Sequence, residues 1–282
     1  MRQHGTIPDN EPLYRLYDGG GKEIGYREML DSCIRADVIL FGELHDHPLV
    51  HWLQLELTQD LVEIKKGDLV LGAEMLEADN QLIVDEYLAG LIEHEHLARE
   101  AKVWANYDSD YRPLVDVAKE HGLRFIATNI PRRYAALVAR EGMKALERLS
   151  DEAKRSIAPL PIPLDLSAPG YGKVMEIGMA HGAHRDAQNF VAAQAVKDAT
   201  MAWFILKNRG QQELFLHYNG DYHSKNRGGI CWYLKRYDPE ITVRTISSVS
   251  RDTPGFDDAC KGLADIVLVV PAALERSSSE NQ

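Results

Sequence analysis

Asp37-Val38-Ile39-Leu40-Phe41-Gly42-Glu43-Leu44-His45-Asp46-His47-Pro48 is the stretch from which the fold can be read. Asp37–Phe41 is an almost continuous apolar run rich in β-branched residues, the pattern of a strand buried on both faces of a sheet. Pro48 lacks an N–H and has a preset φ, so it suits the first turn of a helix, here expected over Pro48–Ile64 with Asp46 or His47 capping the exposed amides. A doubly buried strand that passes at once into a helix is the start of a crossover unit.

The alternation continues along the chain. Strands are expected at Asp37–Phe41, Asp68–Glu74, Arg124–Asn129, Glu213–Tyr218, Thr242–Val249 and Asp265–Val270. Helices are expected at Pro48–Ile64, Tyr111–His121, Arg132–Glu141 and Ala187–Asn208, with Gly122 and Gly210 in the left-handed conformation that ends a helix. Strands alternating with helices predict an α/β fold with a mainly parallel β-sheet flanked by helices. Ahead of it, Leu13–Tyr17 and Glu23–Tyr26 flank Gly19-Gly20-Gly21 as an N-terminal hairpin, and Arg27–Arg35 has helical spacing. Ser156–Gly172 holds four prolines and no clear period, which predicts a connection or helical lid. The expected organisation is therefore hairpin and helix over 1–36, one α/β domain over 37–275, and a disordered tail over 276–282.

Composition narrows the function. The 282 residues carry a formal charge of −11, which argues against a nucleic-acid partner, because phosphate binding needs a basic surface. Positive charge collects locally at Arg132-Arg133 and around Lys225 and Arg227, a pattern that suits a small anion, although scattered basic residues are usually only solvated. Cys33, Cys231 and Cys260 form no CxxC pair, so neither a disulfide framework nor a zinc knuckle is indicated, and Cys33 reads as a small buried apolar residue. There is no GxSxG elbow, P-loop or HExxH, and Gly19–Gly21 lacks the strand–turn–helix context of a dinucleotide site. No apolar run is long enough for a transmembrane helix. The polar stretch Met1–Pro12 reads as an arbitrary boundary, compatible with removal of a targeting segment.

Four expected strands run into unusual polar residues: Gly42-Glu43-Leu44-His45, Ala73-Glu74, Thr128-Asn129 and Asn219-Gly220-Asp221-Tyr222-His223. Singly, Glu43 or Glu74 would ordinarily cap a helix or pair with an arginine. His47 and His51, or His181 and His184, would ordinarily be structural despite their ligand-like spacing. Jointly they fall where open parallel sheets bind ligands, beyond the carboxyl ends of the strands. Glu43, His45, Glu74, Asn129 and His223 are therefore expected to line one cleft. Two carboxylates and two imidazoles of this kind, Glu43, Glu74, His45 and His223, would suit a divalent metal, or general-base work on a water in an esterase or peptidase.

These strand-end motifs resemble a known family. Val38-Ile39-Leu40-Phe41-Gly42-Glu43-Leu44-His45-Asp46 resembles the opening GExHD of the ChaN-like haem-binding lipoproteins. The likeness continues through Glu74, Tyr107–Pro113, Ala127–Arg132, Gln194 and Asp198–Ala202 to Gly220-Asp221-Tyr222-His223, which is similar to the family's GxxH. It implies a haem-binding protein of bacterial haem and iron uptake, periplasmic or anchored at the outer membrane of a Gram-negative bacterium, beside an outer-membrane haem receptor. It further implies a homodimer enclosing two haems, each iron held by a tyrosine and the propionates by a histidine and a lysine of the other subunit. A phenolate is a hard anionic ligand that suits ferric haem. On this chain the resemblance leaves Tyr111 and Tyr107, then Tyr171, as the tyrosine, with His181 and Lys225 as further cofactor-binding residues. The same framework resembles a wider group that includes erythromycin esterases and Tiki-type metalloproteases, which implies a metal-dependent hydrolase as the alternative. A third reading is an accessory protein whose cleft only docks a receptor.

Overall fold

In a computed structural model that describes residues 12–172, 175–176 and 184–274, β3 (Val38–Glu43) is the centre of the sheet. All six of its residues are buried, and it pairs in parallel with β6 (Leu214–Gly220) on one side and β7 (Val243–Arg251) on the other. Beyond β6 lie β4 (Leu69–Glu77) and β5 (Arg124–Asn129), and beyond β7 lies β8 (Ile266–Pro271), all parallel. The N-terminal hairpin, β1 (Arg15–Asp18) and β2 (Glu23–Ile24), extends the same sheet, β1 pairing antiparallel with β8. The order is β2-β1-β8-β7-β3-β6-β4-β5, so residues 15–24 share one sheet with the α/β body.

Alternating strand residues feed two cores. Ile39, Phe41, Leu71, Leu216 and Tyr218 pack on one face under α1 (Tyr26–Cys33), α2 (Pro48–Lys65), α3 (Gln81–Leu88), α4 (His94–Glu100) and α5 (Arg112–Glu120). Val38, Leu40, Val70 and Phe215 pack on the other under α6 (Arg132–Glu141), α8 (His184–Asn208) and α9 (Gly229–Tyr237). The short α7 (Asp151–Lys154) precedes the proline-rich connection. Period-2 side-chain alternation makes one strand serve both layers. Among the described residues no helix is long and apolar enough to cross a membrane.

Differences from expectation have local causes. The helix expected from Tyr111 begins at Arg112, because Tyr107–Tyr111 forms a π-helical turn. Pro48 opens α2 as expected, but its N-cap residue His47 makes no side-chain capping bond; its ring Nε2 donates instead to the Pro271 carbonyl at 2.9 Å. Gly122 takes the left-handed conformation after α5, whereas Gly210 does not. The helices α3, α4 and α9 escaped the sequence reading: α3 and α4 are short, and α9 is entered through a turn with Asn226, Arg227 and Gly229 at positive φ. The tail at 276–282 lies outside the described residues.

Leu216 is fully buried at the sheet centre, while Leu82 on α3 is 71% exposed. Leu216→Ala is expected to lower stability by about 2–5 kcal/mol and Leu82→Ala by less than about 0.5 kcal/mol. Urea midpoints measure both, and equal shifts would contradict the placement of the core.

Candidate functional site

Strand order reverses around β3: the chain runs outward through β4 and β5, then returns to insert β6 beside β3 and continues to β7. At such a point the connections leave in opposite directions and open a crevice beyond the strand ends. Here the crevice is a cavity of about 900 Å³. It is bounded by the ends of β3, β6 and β7, by Glu74 of β4, by α8 and by residues 169–171 of the proline-rich connection.

Two polar networks build its floor. In the first, Glu43 is buried at the end of β3. Its Oε1 accepts from the Tyr111 hydroxyl at 2.7 Å and meets His45 Nδ1 at 2.9 Å, while its Oε2 accepts from Gln54 Nε2 at 2.7 Å. His51 braces this cluster from α2, touching Gln54 Oε1 and donating to the His45 carbonyl. Burial alone would raise the Glu43 pKa, but His51, His45 and Gln54 outweigh it and the carboxyl is held below its ordinary value. Burial likewise opposes a charged His45, yet Glu43 and Glu74 raise its pKa.

The second network centres on His223. Its Nε2 lies 3.1 Å from Glu74 Oε1 and its Nδ1 2.6 Å from Asp198 Oδ1, so both ring nitrogens donate to carboxylates. Burial works against the imidazolium, but Glu74 and Asp198 outweigh it and raise the His223 pKa, while His223 in turn holds Glu74 low against its own desolvation. Burial raises Asp198. Glu74 sits where β4 loses register with β5, between Ala73 and Glu77; an irregularity of this kind re-aims a side chain at a sheet end. Its Oε2 accepts from the Gly220 amide at 2.8 Å.

Two glycines permit this closeness. A Cβ at Gly220 would stand 2.7 Å from the His45 ring. At Gly229, with φ of +50°, it would stand 2.3 Å from the His223 carbonyl oxygen. Any other residue would push His45 or His223 off its partner.

Of the residues expected in one cleft, Glu43, His45, Glu74 and His223 line the cavity together. Asn129 is not among the lining residues; its Nδ2 donates to the Glu74 carbonyl at 3.0 Å and steadies the irregular end of β4 from behind. Among the described residues no group of three or more His, Cys, Asp or Glu is arranged to hold a metal ion. The physical reason lies in the networks: Glu74 and both nitrogens of His223 are committed to one another, to Asp198 and to Gly220, and the Glu43 oxygens to Tyr111, His45 and Gln54.

The tyrosines divide in the same way. Tyr107 and Tyr111 are buried and do not line the cavity; Tyr171 lines it, but its hydroxyl donates to Asp198 Oδ2 at 2.8 Å. Burial raises the pKa of all three, with Glu43 adding to it at Tyr111 and Asp198 at Tyr171. Tyr222, which the sequence reading passed over within Gly220–His223, lines the cavity with 62% of its surface exposed. Lys225 also lines it, 3.3 Å from Asp221, with its ammonium 3.4 Å from the Tyr222 ring centre. His181 lies outside the described residues. The signal for Tyr222 was available in the motif itself: a large aromatic residue between the buried Asp221 and His223, where the chain leaves the sheet.

Comparison with known proteins agrees with this architecture. A solved structure described as cofacial heme binding to ChaN of Campylobacter jejuni superposes with a TM-score of 0.70 at 18% identity, covering 91% of this chain and 96% of that one. A Bacillus cereus protein gives a TM-score of 0.50 at 11% identity, covering 86% and 90%. An erythromycin esterase mutant in its open conformation gives 0.48 at 11% identity, covering 85% and 77%. At these identities the first two likenesses are ones of fold. No curated protein sequence matches the chain. The family model described as haem-binding uptake, Tiki superfamily, ChaN matches residues 29–234, which is most of the chain, and the protein belongs to that family.

Proposed function

We propose that this protein binds haem in the cavity beyond the strand ends, with the iron held by Tyr222, and that it serves bacterial haem uptake in the periplasm or at the outer membrane. The observation that carries the tyrosine assignment is the state of the phenols. A tyrosine that ligates the iron must reach it with a hydroxyl not already committed to a protein partner. Tyr111 and Tyr171 spend their hydroxyls on buried carboxylates, and Tyr107 is buried away from the cavity with no hydroxyl partner among the described residues. Tyr222 stands open to the cavity with its ring under the Lys225 ammonium.

The cavity suits the group in size and chemistry. Sites for compact organic ligands span about 300–1,000 Å³ and combine apolar walls with a few placed polar groups. Here Leu44, Trp104, Phe190 and Val249 supply apolar wall, and Lys197, Lys225 and Arg251 supply positive charge for carboxylates. Bound haem would supply ferric iron as the Lewis acid that a phenolate ligates. The chain's own residues bind and orient it, and the two buried networks hold the floor rigid. The exposed ring of Tyr222 and the half-covered Phe190 are the surfaces a second copy would close over, and an outer-membrane haem receptor is the partner from which such a carrier would load.

Hemin titration of Tyr222→Phe and Tyr171→Phe tests the assignment. The wild type and Tyr171→Phe are expected to give a high-spin phenolate spectrum, and Tyr222→Phe to lose it and bind about tenfold or more weakly. A wild-type spectrum from Tyr222→Phe would overturn Tyr222. Sedimentation of the loaded protein is expected to show a doubled mass, and an unchanged mass would remove the homodimer.

One observation favours a second reading, a metal-independent hydrolase. His45 lines the cavity with its Nδ1 anchored on a buried carboxylate, the arrangement of an oriented general base. Removal of such a base typically costs about 10²–10⁴-fold in rate. A screen with model esters and peptides is expected to show wild-type turnover that His45→Gln lacks; rates equal in the two proteins would discard this reading.

A further inference from the structure

The two basic clusters of the sequence meet different fates in the fold. Arg132 and Arg133 are spent on Glu77 and Asp79. Arg227 instead joins cations on the outer side of α9, where Trp232, Lys235 and Arg236 recur at helical intervals and share one face. Together with Cys231 they line a cavity of about 360 Å³, and none of these residues lines the large cavity. Arg227 reaches it from a turn in which it and Asn226 both take left-handed φ, a backbone that residues with large side chains rarely adopt.

Arg227, Lys235 and Arg236 supply the charged lining of this cavity, and no carboxylate faces them there. Cys231 shows that the charges converge. Burial pushes its thiol pKa up, and both Arg227 and Lys235 pull against that rise. The thiol stays protonated at neutral pH and brings no negative charge.

The surrounding carboxylates do not balance these cations. Asp265 pairs with Arg227 and, at 3.3 Å, with Arg244, while its Oδ2 accepts from the Thr245 amide at 2.9 Å and hydroxyl at 3.0 Å. One carboxylate thus serves two arginines, and Arg244 Nε stays buried with no hydrogen-bond partner among the described residues. Lys235 donates to a neutral group, the Pro239 carbonyl, and Arg236 lies over the Trp232 ring. Ser167 holds the Asp165 carboxyl low, with Arg236 adding to this from beyond ion-pair distance. Among the described residues neither Lys235 nor Arg236 forms an ion pair. Like charges held together repel, and on a chain of formal charge −11 such a cluster is relieved by an anion.

We propose that the cavity on α9 is a binding site for a phosphate group, held by Arg227, Lys235 and Arg236 beside the Trp232 indole. The site is independent of the haem reading. A phosphate offers more acceptor oxygens and more charge than a carboxylate, which matches two guanidinium forks and an ammonium. Its source is a free phosphate compound or the headgroup of an anionic lipid. Leu164 and Leu166 bear on the second source. They stand exposed on either side of Asp165, and the neighbouring Pro163 carbonyl accepts from Tyr233 of α9. Cations, an indole and exposed aliphatic side chains on one surface are what an interfacial contact uses.

The test has two arms at low ionic strength, on wild type, on Lys235→Gln/Arg236→Gln and on the charge-conserving Lys235→Arg/Arg236→Lys. One arm titrates sodium pyrophosphate by calorimetry. The other floats the protein with phosphatidylglycerol vesicles, with phosphatidylcholine vesicles as the neutral reference. Wild type and the charge-conserving variant are expected to bind in at least one arm, and the glutamine variant about tenfold or more weakly. Pyrophosphate binding assigns a free phosphate compound, and binding to phosphatidylglycerol vesicles alone assigns the lipid headgroup. Circular dichroism melting checks that each variant is folded. Absence of wild-type binding in both arms, or equal binding by the glutamine variant, overturns the site.

Discussion

The His223 imidazolium, clamped between Glu74 and Asp198, ties together three segments far apart in sequence: the irregular end of β4, the turn after β6 and the middle of α8. Buried charges are tolerated only in pairs with their remaining hydrogen bonds satisfied, and removing one partner of such a set typically costs about 3–5 kcal/mol. Each member here meets that condition. Glu74 takes the Gly220 amide as well as His223, and Asp198 takes the Tyr171 hydroxyl as well as His223. The proline-rich connection is thereby fastened to the floor of the cavity through Tyr171. The shape of the cavity follows from these bonds.

The Glu43 network does the same work on the other side of the sheet end. Glu43 and Gly220 are neighbours in register across β3 and β6, so the two networks meet where Gly220 leaves room for the His45 ring. Their joint effect is to consume donors and acceptors that would otherwise be free for metal or ligand. His45 keeps one ring edge toward the cavity, whereas the deep carboxylates face inward to fixed partners. A rigid polar floor beneath partly apolar walls is the form of a site that orients a ligand.

The distribution of lysine, arginine and tyrosine side chains around this floor then carries the functional distinctions. Tyr222 and Lys225 leave the sheet on the same turn, which is entered through Gly220 and left through Gly229, both positions where a side chain would collide with the histidines. The overall charge of −11 is thus compatible with a cavity whose rim is locally cationic.

Periodicity and chain punctuation determined the fold. The doubly buried run Val38–Phe41, followed by Pro48 at a helix start, is enough to require a parallel sheet, and the placement of Glu43, His45, Glu74 and His223 at strand ends follows from it. What the sequence left undetermined is how each polar group spends its bonds. Asn129 and Glu74 both end the strands expected from sequence, yet β4 runs on to Glu77 and only Glu74 faces the cavity, because β4 loses register with β5 after Ala73. Tyr107, Tyr111, Tyr171 and Tyr222 are alike as letters. Burial and contact with Glu43 or Asp198 separate them, and those contacts join residues 27 and 68 positions apart in the chain. Local pattern fixes elements, because backbone hydrogen bonding is local or repeats along a strand. The assignment of protons, charges and open coordination depends on which side chains the packed sheet brings within 3 Å, and only the tertiary structure decides that.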